Sequence, residues 1–251
     1  MTRQNPSPCE GYKPSQGGSQ KKQRLNFPDP IIQAVKDYAI LLRKGYPDKR
    51  TLELVADRYH LDRAGRAVLF RGVFREGANE KRQARVLPGP PAGKALVKVD
   101  VLNQLYAIGS YLSGQLVFIA SDGLLRDASG YHGELLEARV LQRAVQLMLS
   151  FLEGNPALEV ELYLDSQADS VVSVRQAIQA AIRKVGNTIV IVESDKVDAL
   201  LSSGRGFILA SSDSTIIDRT ENPVFDLAHY VLTHDFSAKI PEIAGILAEI
   251  L

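Results

Sequence analysis

The chain has 251 residues, 45% hydrophobic and 24% charged, an ordinary globular composition for one large domain or a small one joined to a medium one. No run of about 18 uncharged apolar residues exists, so no spanning helix and no membrane partner are expected, and the polar opening stretch Met1–Arg24 has no apolar segment of the secretory-signal kind. The single cysteine, Cys9, excludes a disulfide framework and a cysteine-based metal site, and the cytoplasm is the expected compartment.

The net charge of +1 conceals an asymmetry. Residues 1–99 hold 20 Lys/Arg against 9 Asp/Glu, whereas residues 100–251 hold 10 against 20. A basic part of this kind points to a polyanion partner; two surfaces that only solubilise the protein, or attract each other, are the ordinary alternative.

Residues 1–26 are rich in Pro, Gly, Ser, Gln and Lys without a hydrophobic pattern, and read as a disordered basic tail. A helix is expected from Pro28–Pro30, with Ile31, Val35, Tyr38 and Leu42 at helical spacing and Gly45 as its stop. A second follows Pro47-Asp48 and buries Leu52, Val55 and Ala56. Tyr59-His60-Leu61 is short enough to be a turn, and Asp62 is placed to cap a third helix through Arg66, Leu69 and Val73. Together these read as a basic, helix-turn-helix-like domain over residues 27–86. Arg58, Arg63, Arg66, Arg71 and Arg75 crowd it, and a guanidinium fork suits a phosphate because it donates two hydrogen bonds at once. The ordinary alternative is a solvated face paired with Asp57 and Asp62. Residues 87–94, containing Pro-Gly-Pro-Pro, form a turn-rich linker.

After the linker, strands are expected at Ala95–Val99, Leu116–Ala120, Val160–Leu164, Thr188–Val192 and Gly206–Ala210. Helices are expected at Val101–Leu112, Leu135–Leu152 and Val171–Val185, with a terminal helix at Ile240–Leu251 packed on the sheet. This alternation predicts an α/β domain over residues 95–251, a mainly parallel five-stranded sheet with helices on both faces.

Four of these strands run into an aspartate: Asp100, Asp122, Asp165 and Asp213. In a parallel sheet the C-terminal strand ends share one edge, where ligands bind. Carboxylates gathered there repel each other unless a cation such as Mg²⁺ or Mn²⁺ neutralises them. Asp195 and Asp198, after the fourth strand, are supporting candidates; Glu134 and Glu137 are weaker ones. A single aspartate after a strand is more often a helix cap or turn residue; four on one edge favour the metal reading, provided the sheet is parallel. No G-x-x-x-x-G-K-[ST] phosphate loop, G-x-G-x-x-G fingerprint or G-x-S-x-G elbow occurs.

The segments Val99-Asp-Val-Leu-Asn103, Ser121-Asp-Gly-Leu-Leu-Arg-Asp127, Leu164-Asp-Ser166 and Ala210-Ser-Ser-Asp-Ser-Thr-Ile-Ile-Asp218 resemble the acidic skeleton of the PIN-like nucleases. Leu52–Tyr59 and Arg71-Gly-Val-Phe74 are similar to the helical part of an archaeal and bacterial family that joins such a domain to a PIN-like one. The resemblance spans residues 27–235 and brings a fold more than an activity. It implies Mg²⁺ or Mn²⁺ at Asp100, Asp165 and Asp213, with Asp122 a ligand or an orienting group for water and Asn103 in support. The expected function is a metal-dependent nuclease acting on RNA rather than DNA. A nucleic-acid binder without cleavage and a protein-interaction scaffold stay open, as does self-association of the chain.

Overall fold

The computed structural model describes residues 27–129, 136–182 and 188–250; the expected basic tail, Cys9 and Glu134 lie outside them. The chain opens with α1 (Asp29–Arg43), α2 (Asp48–Arg58), α3 (Arg63–Gly72) and α4 (Glu76–Gln83). Pro28 and Pro30 stand where a helix needs no backbone N–H, and Gly45 takes the left-handed conformation (φ +87°) just past the end of α1. Between α2 and α3 the turn passes through His60 at φ +49°, and the Asp62 carboxylate accepts the Gly65 N–H at 2.8 Å. The cap and the tight turn are where the sequence places them.

The α/β part begins with β1 (Leu96–Asp100) and α5 (Val101–Leu112), followed by β2 (Val117–Ile119) and β3 (Leu125–Asp127). Next come α6 (Ala138–Glu153), β4 (Glu159–Asp165), α7 (Val171–Ile182), β5 (Thr188–Ser194), α8 (Val197–Ser202), β6 (Ile208–Ala210) and α9 (Ser214–Arg219). Two further helices, α10 (Leu227–Phe236) and α11 (Ile243–Leu247), end the described chain. Four strands form one parallel sheet in the order β5-β4-β1-β6.

Side-chain alternation gives that sheet two apolar faces. Val97, Val99, Val160, Leu162 and Leu164 pack with Leu105, Ile108, Val145, Met148 and Ile178 from α5, α6 and α7. Leu96, Tyr163, Val192 and Leu209 face the other way, against Val197 and Leu201 of α8 and Ile216 and Ile217 of α9. Helices therefore cover both faces, as nearly continuous apolar strands require.

The expected five-stranded sheet has four strands among the described residues. The predicted second strand, Leu116–Ala120, instead pairs antiparallel with β3 in a separate hairpin. Only two turn residues and Gly123 (φ +82°) separate Ala120 from Leu124, too few for a crossover, so this strand pairs with its neighbour.

That hairpin is the surface on which the N-terminal helices sit. Phe118, Ala120 and Ala128 share one core with Phe27, Val35, Tyr38, Val68 and Leu69, completed by Ile243 and Ile246 of α11. The terminal helix thus packs on α1 and β2, not on the main sheet as expected, because its apolar side chains meet the helical core. Closure is tight at Gly72, whose carbonyl accepts the Ser121 N–H at 2.7 Å. A Cβ at Gly72 would lie 2.3 Å from Ile243 Cδ1 and 2.8 Å from Phe118 Cε2, both on fully buried side chains. Gly72→Ala is therefore expected to destabilise the protein by about 1–3 kcal/mol, read as a lowered melting temperature. An unchanged melting temperature would show that this junction can shift apart.

Candidate functional site

The strand order of the main sheet reverses at β1. From β1 the chain proceeds outward to β4 and β5, then returns to place β6 on the other side of β1. The helix after β1 covers one face and the helix after β6 covers the opposite face. A crevice is left between the C-terminal ends of β1 and β6, the ligand position in open α/β sheets. Asp100 ends β1, and Ser211-Ser212-Asp213 follow β6.

Hydrogen bonds tie the two sides of this crevice together. Ser211 Oγ donates to Asp100 Oδ2 at 2.9 Å and accepts the Asp213 N–H at 3.1 Å. Asn103 Oδ1 accepts from the Ser212 N–H (2.9 Å) and the Ser212 hydroxyl (3.1 Å), fastening α5 to the loop that carries Asp213. Asn103 thus positions the loop. Ser211 and Ser212 are buried organisers that the strand-end pattern does not single out; two consecutive serines between a strand and an aspartate are the available signal.

The electrostatics are those of crowded carboxylates. Burial pushes the Asp100 carboxyl up to about 7, and the charges of Asp213 and Asp198 push the same way, opposed by the Ser211 hydroxyl and the Asn103 backbone N–H. Burial also raises Asp198, helped by the charges of Asp213 and Asp165 and opposed by Arg219. Asp100, Asp165, Asp198 and Asp213 therefore share one edge and feel each other. Two of them also serve local structure: Asp213 Oδ1 caps α9 through the Thr215 N–H (2.7 Å), and Asp165 Oδ1 accepts the Gln167 N–H (2.9 Å). Asp195 is exposed in the turn between β5 and α8, and Glu137 is exposed just ahead of α6. Among the described residues, no three His, Cys, Asp or Glu side chains converge into a ready-made metal cage.

Asp122 stands elsewhere. It follows β2, outside the parallel sheet, and its side chain is fully buried. Arg126 grips it through both terminal nitrogens (2.6 and 2.8 Å), and Arg82 Nη1 adds a third bond at 3.0 Å. Arg82 also forks onto Asp218 of α9 (2.7 Å twice), holding that carboxyl below its ordinary value. Phe74 lies against both guanidiniums, 4.2 Å from Arg82 and 4.9 Å from Arg126. Two cations already satisfy Asp122, so it is placed as a structural counter-ion between the helical and α/β parts and not beside Asp100.

The arginines divide in the same way. Arg75 closes the α1–α2 corner, donating to the carbonyls of Leu42 (2.7 Å) and Tyr46 (2.6 Å) and pairing with Asp48. Arg71 pairs with the buried Asp127 at 2.9 Å. Arg66 makes an exposed pair with Asp57 at 2.6 Å, and Arg58 is exposed beside the Tyr59 ring. Arg63, Arg66, Arg71 and Arg75, with Arg82 and Arg126, line a cleft of about 680 Å³ between the helical part and α9; Arg58 does not. Asp213 and Thr215 line its far wall, so the cleft opens onto the acidic edge.

These features define a parallel α/β domain with an acidic switch-point edge, joined through a buried ion network to a basic helical region. The chain belongs to the family described as "Domain of unknown function (DUF5616)", which matches residues 92–230; "Protein of unknown function (DUF434)" matches residues 31–85. The chain is also similar to "Uncharacterized protein MJ0935" of Methanocaldococcus jannaschii, 25% identical over 139 residues, 55% of this chain and 65% of that one. This chain thus spans just under two thirds of that relative's length. No solved structure matches. Among the described residues no helix is long and apolar enough to cross a membrane.

Proposed function

We propose that the protein is a PIN-like, divalent-metal-dependent phosphodiesterase acting on a nucleic acid, RNA in preference to DNA. The observation that carries this reading is that Asp213 belongs at once to the carboxylate edge and to the arginine-lined cleft. A polyanion drawn in by the guanidiniums would meet the carboxylates only with a cation between them. The donor set suits Mg²⁺ or Mn²⁺: it is all oxygen, partly desolvated and self-repelling, and Mg²⁺ in particular is usually held by one or two carboxylates, with water and substrate phosphate completing its shell. Asp100 and Asp213 would hold the ion, with Asp165 and Asp198 acting through water. When bound, such an ion lowers the pKa of a coordinated water and offsets charge on the phosphate. The chain's own contribution is positional: Ser211 orients Asp100, Asn103 fixes the Asp213 loop, and the cleft aligns the strand.

The test is cleavage of a labelled single-stranded RNA in Mn²⁺ or in EDTA, by the unmodified protein and by Asp213→Asn. Products that require Mn²⁺ and vanish in the variant support the reading; cleavage indifferent to EDTA, or none at all, defeats it. A second reading, binding without cleavage, is favoured by the lack of a three-ligand cage among the described residues. Both readings expect the affinity of the full chain for RNA to fall steeply with salt, by a slope of about 0.7 in log K against log salt per phosphate neutralised on a single strand. Arg66→Ala removes an exposed ion pair and one hydrogen bond to the Leu61 carbonyl, so the fold should persist with a small loss of stability while the slope flattens by roughly one contact. A slope that Arg66→Ala leaves unchanged would place the polyanion elsewhere.

A further inference from the structure

The cleft lining includes an exposed aromatic ring that phosphate binding would not explain. Phe70, on α3, is 71% exposed, the most exposed large hydrophobic residue among the described residues, and it lines the cleft among Arg63, Arg66 and Arg71. A helix in a globular protein turns its apolar residues inward, and α3 does this with Val68 and Leu69, two positions and one position earlier. Phe70 occupies the polar face of the same helix, one residue before an arginine. An apolar protein partner would need a continuous patch, whereas here guanidiniums interrupt the surface around the ring. An exposed aromatic ring among guanidiniums meets the requirements of a nucleobase: the cations would hold the backbone while the ring offers its face to a base. Only an unpaired base has a face to offer, because in a duplex both faces are occupied by neighbours.

We infer that Phe70 is a stacking platform for an unpaired base, and that the strand entering the cleft is therefore single-stranded. This rests on the reading of the cleft as a polyanion groove but not on cleavage, so it is tested in EDTA. The probes are a fluorescein-labelled 12-nucleotide RNA of mixed sequence and the same strand annealed to its complement, titrated with the full chain. Stacking of one base on an aromatic ring is worth about 1–3 kcal/mol, so Phe70→Ala should weaken single-strand binding at least fivefold. Duplex binding should change less than twofold, and an exposed side chain can be changed without cost to the fold. The chain contains no tryptophan, so Phe70→Trp supplies a single reporter. It should retain single-strand affinity, and its fluorescence should be quenched by the single strand and not by the duplex.

Phe70→Ala that weakens both probes equally, or neither, overturns the stacking role while leaving the polyanion cleft standing. Tryptophan fluorescence indifferent to the single strand overturns it as well. An unmodified protein that binds neither probe at low salt overturns both this inference and the polyanion reading, and returns Phe70 to a protein-docking surface. Discrimination by Phe70→Ala without any cleavage in Mn²⁺ supports the stacking role and defeats only the nuclease.

Discussion

Asp100→Asn is expected to abolish Mn²⁺-dependent cleavage and, at pH 8 without divalent cations, to raise the melting temperature. The second effect follows from the sign of the titration. Asp100 has an ordinary value of 3.8, and burial raises it to about 7 in the folded chain. Between those pH values the unfolded chain releases a proton that the folded chain keeps, so this group destabilises the fold progressively from about pH 4 to about pH 7 and no further above that. A shift of this size corresponds to a loss of about 4 kcal/mol. Asparagine, which does not titrate, avoids the loss, so the variant should gain several degrees at pH 8 and little near pH 4. A divalent cation reverses the order. Bound only to the folded state, it stabilises the unmodified protein by about 2.7 kcal/mol at a hundred times its dissociation constant and the variant much less. Thermal unfolding of both proteins at pH 4 and pH 8, with and without Mn²⁺, measures these differences. Equal Mn²⁺ stabilisation of both proteins would remove Asp100 from any metal site.

Asp122→Ala is expected to act on stability instead. The substitution strips Arg126 of both its bonds to Asp122 and leaves Arg82 with Asp218 alone, while both guanidiniums stay buried against Phe74. Breaking a buried pair by removing one partner costs about 3–5 kcal/mol, because the remaining charge is uncompensated. At about 2–4 °C per kcal/mol for a chain of this size, the melting temperature should fall by roughly 10 °C. Below the new transition, any divalent-dependent cleavage should persist at the unmodified rate, which separates this aspartate from Asp100. A cleavage defect in a variant that melts normally would return Asp122 to the chemistry.

The contrast between these two aspartates marks how far the residues alone could be read. Val99-Asp100 and Leu164-Asp165 lie in strands flanked by long helices, so a parallel arrangement and a shared carboxylate edge followed from periodicity. Ile119-Ala-Ser-Asp122 shows the same local pattern, apolar strand then aspartate. Its pairing, however, is decided by the hairpin return at Gly123, which carries it out of the sheet and into a cage of arginines. Local pattern specifies that a strand forms; its partner is set by chain length between strands and by which apolar face is left to cover.

The same division holds across the molecule. The Asp62 cap, the Gly45 stop, the alternation of strands and helices after Leu96, and the basic first third are properties of neighbouring residues, visible wherever propensity and periodicity agree. Which arginines meet a buried carboxylate and which line the cleft depends on how α3 and α4 seat on the β2–β3 hairpin and on α9, contacts between residues 40 to 136 positions apart. The crevice at the end of β1 likewise exists only because β6 returns to that strand's free side, placing Ser211 against Asp100 across 111 residues. Such long-range pairings depend on the global packing of apolar faces, and no local stretch of sequence encodes them.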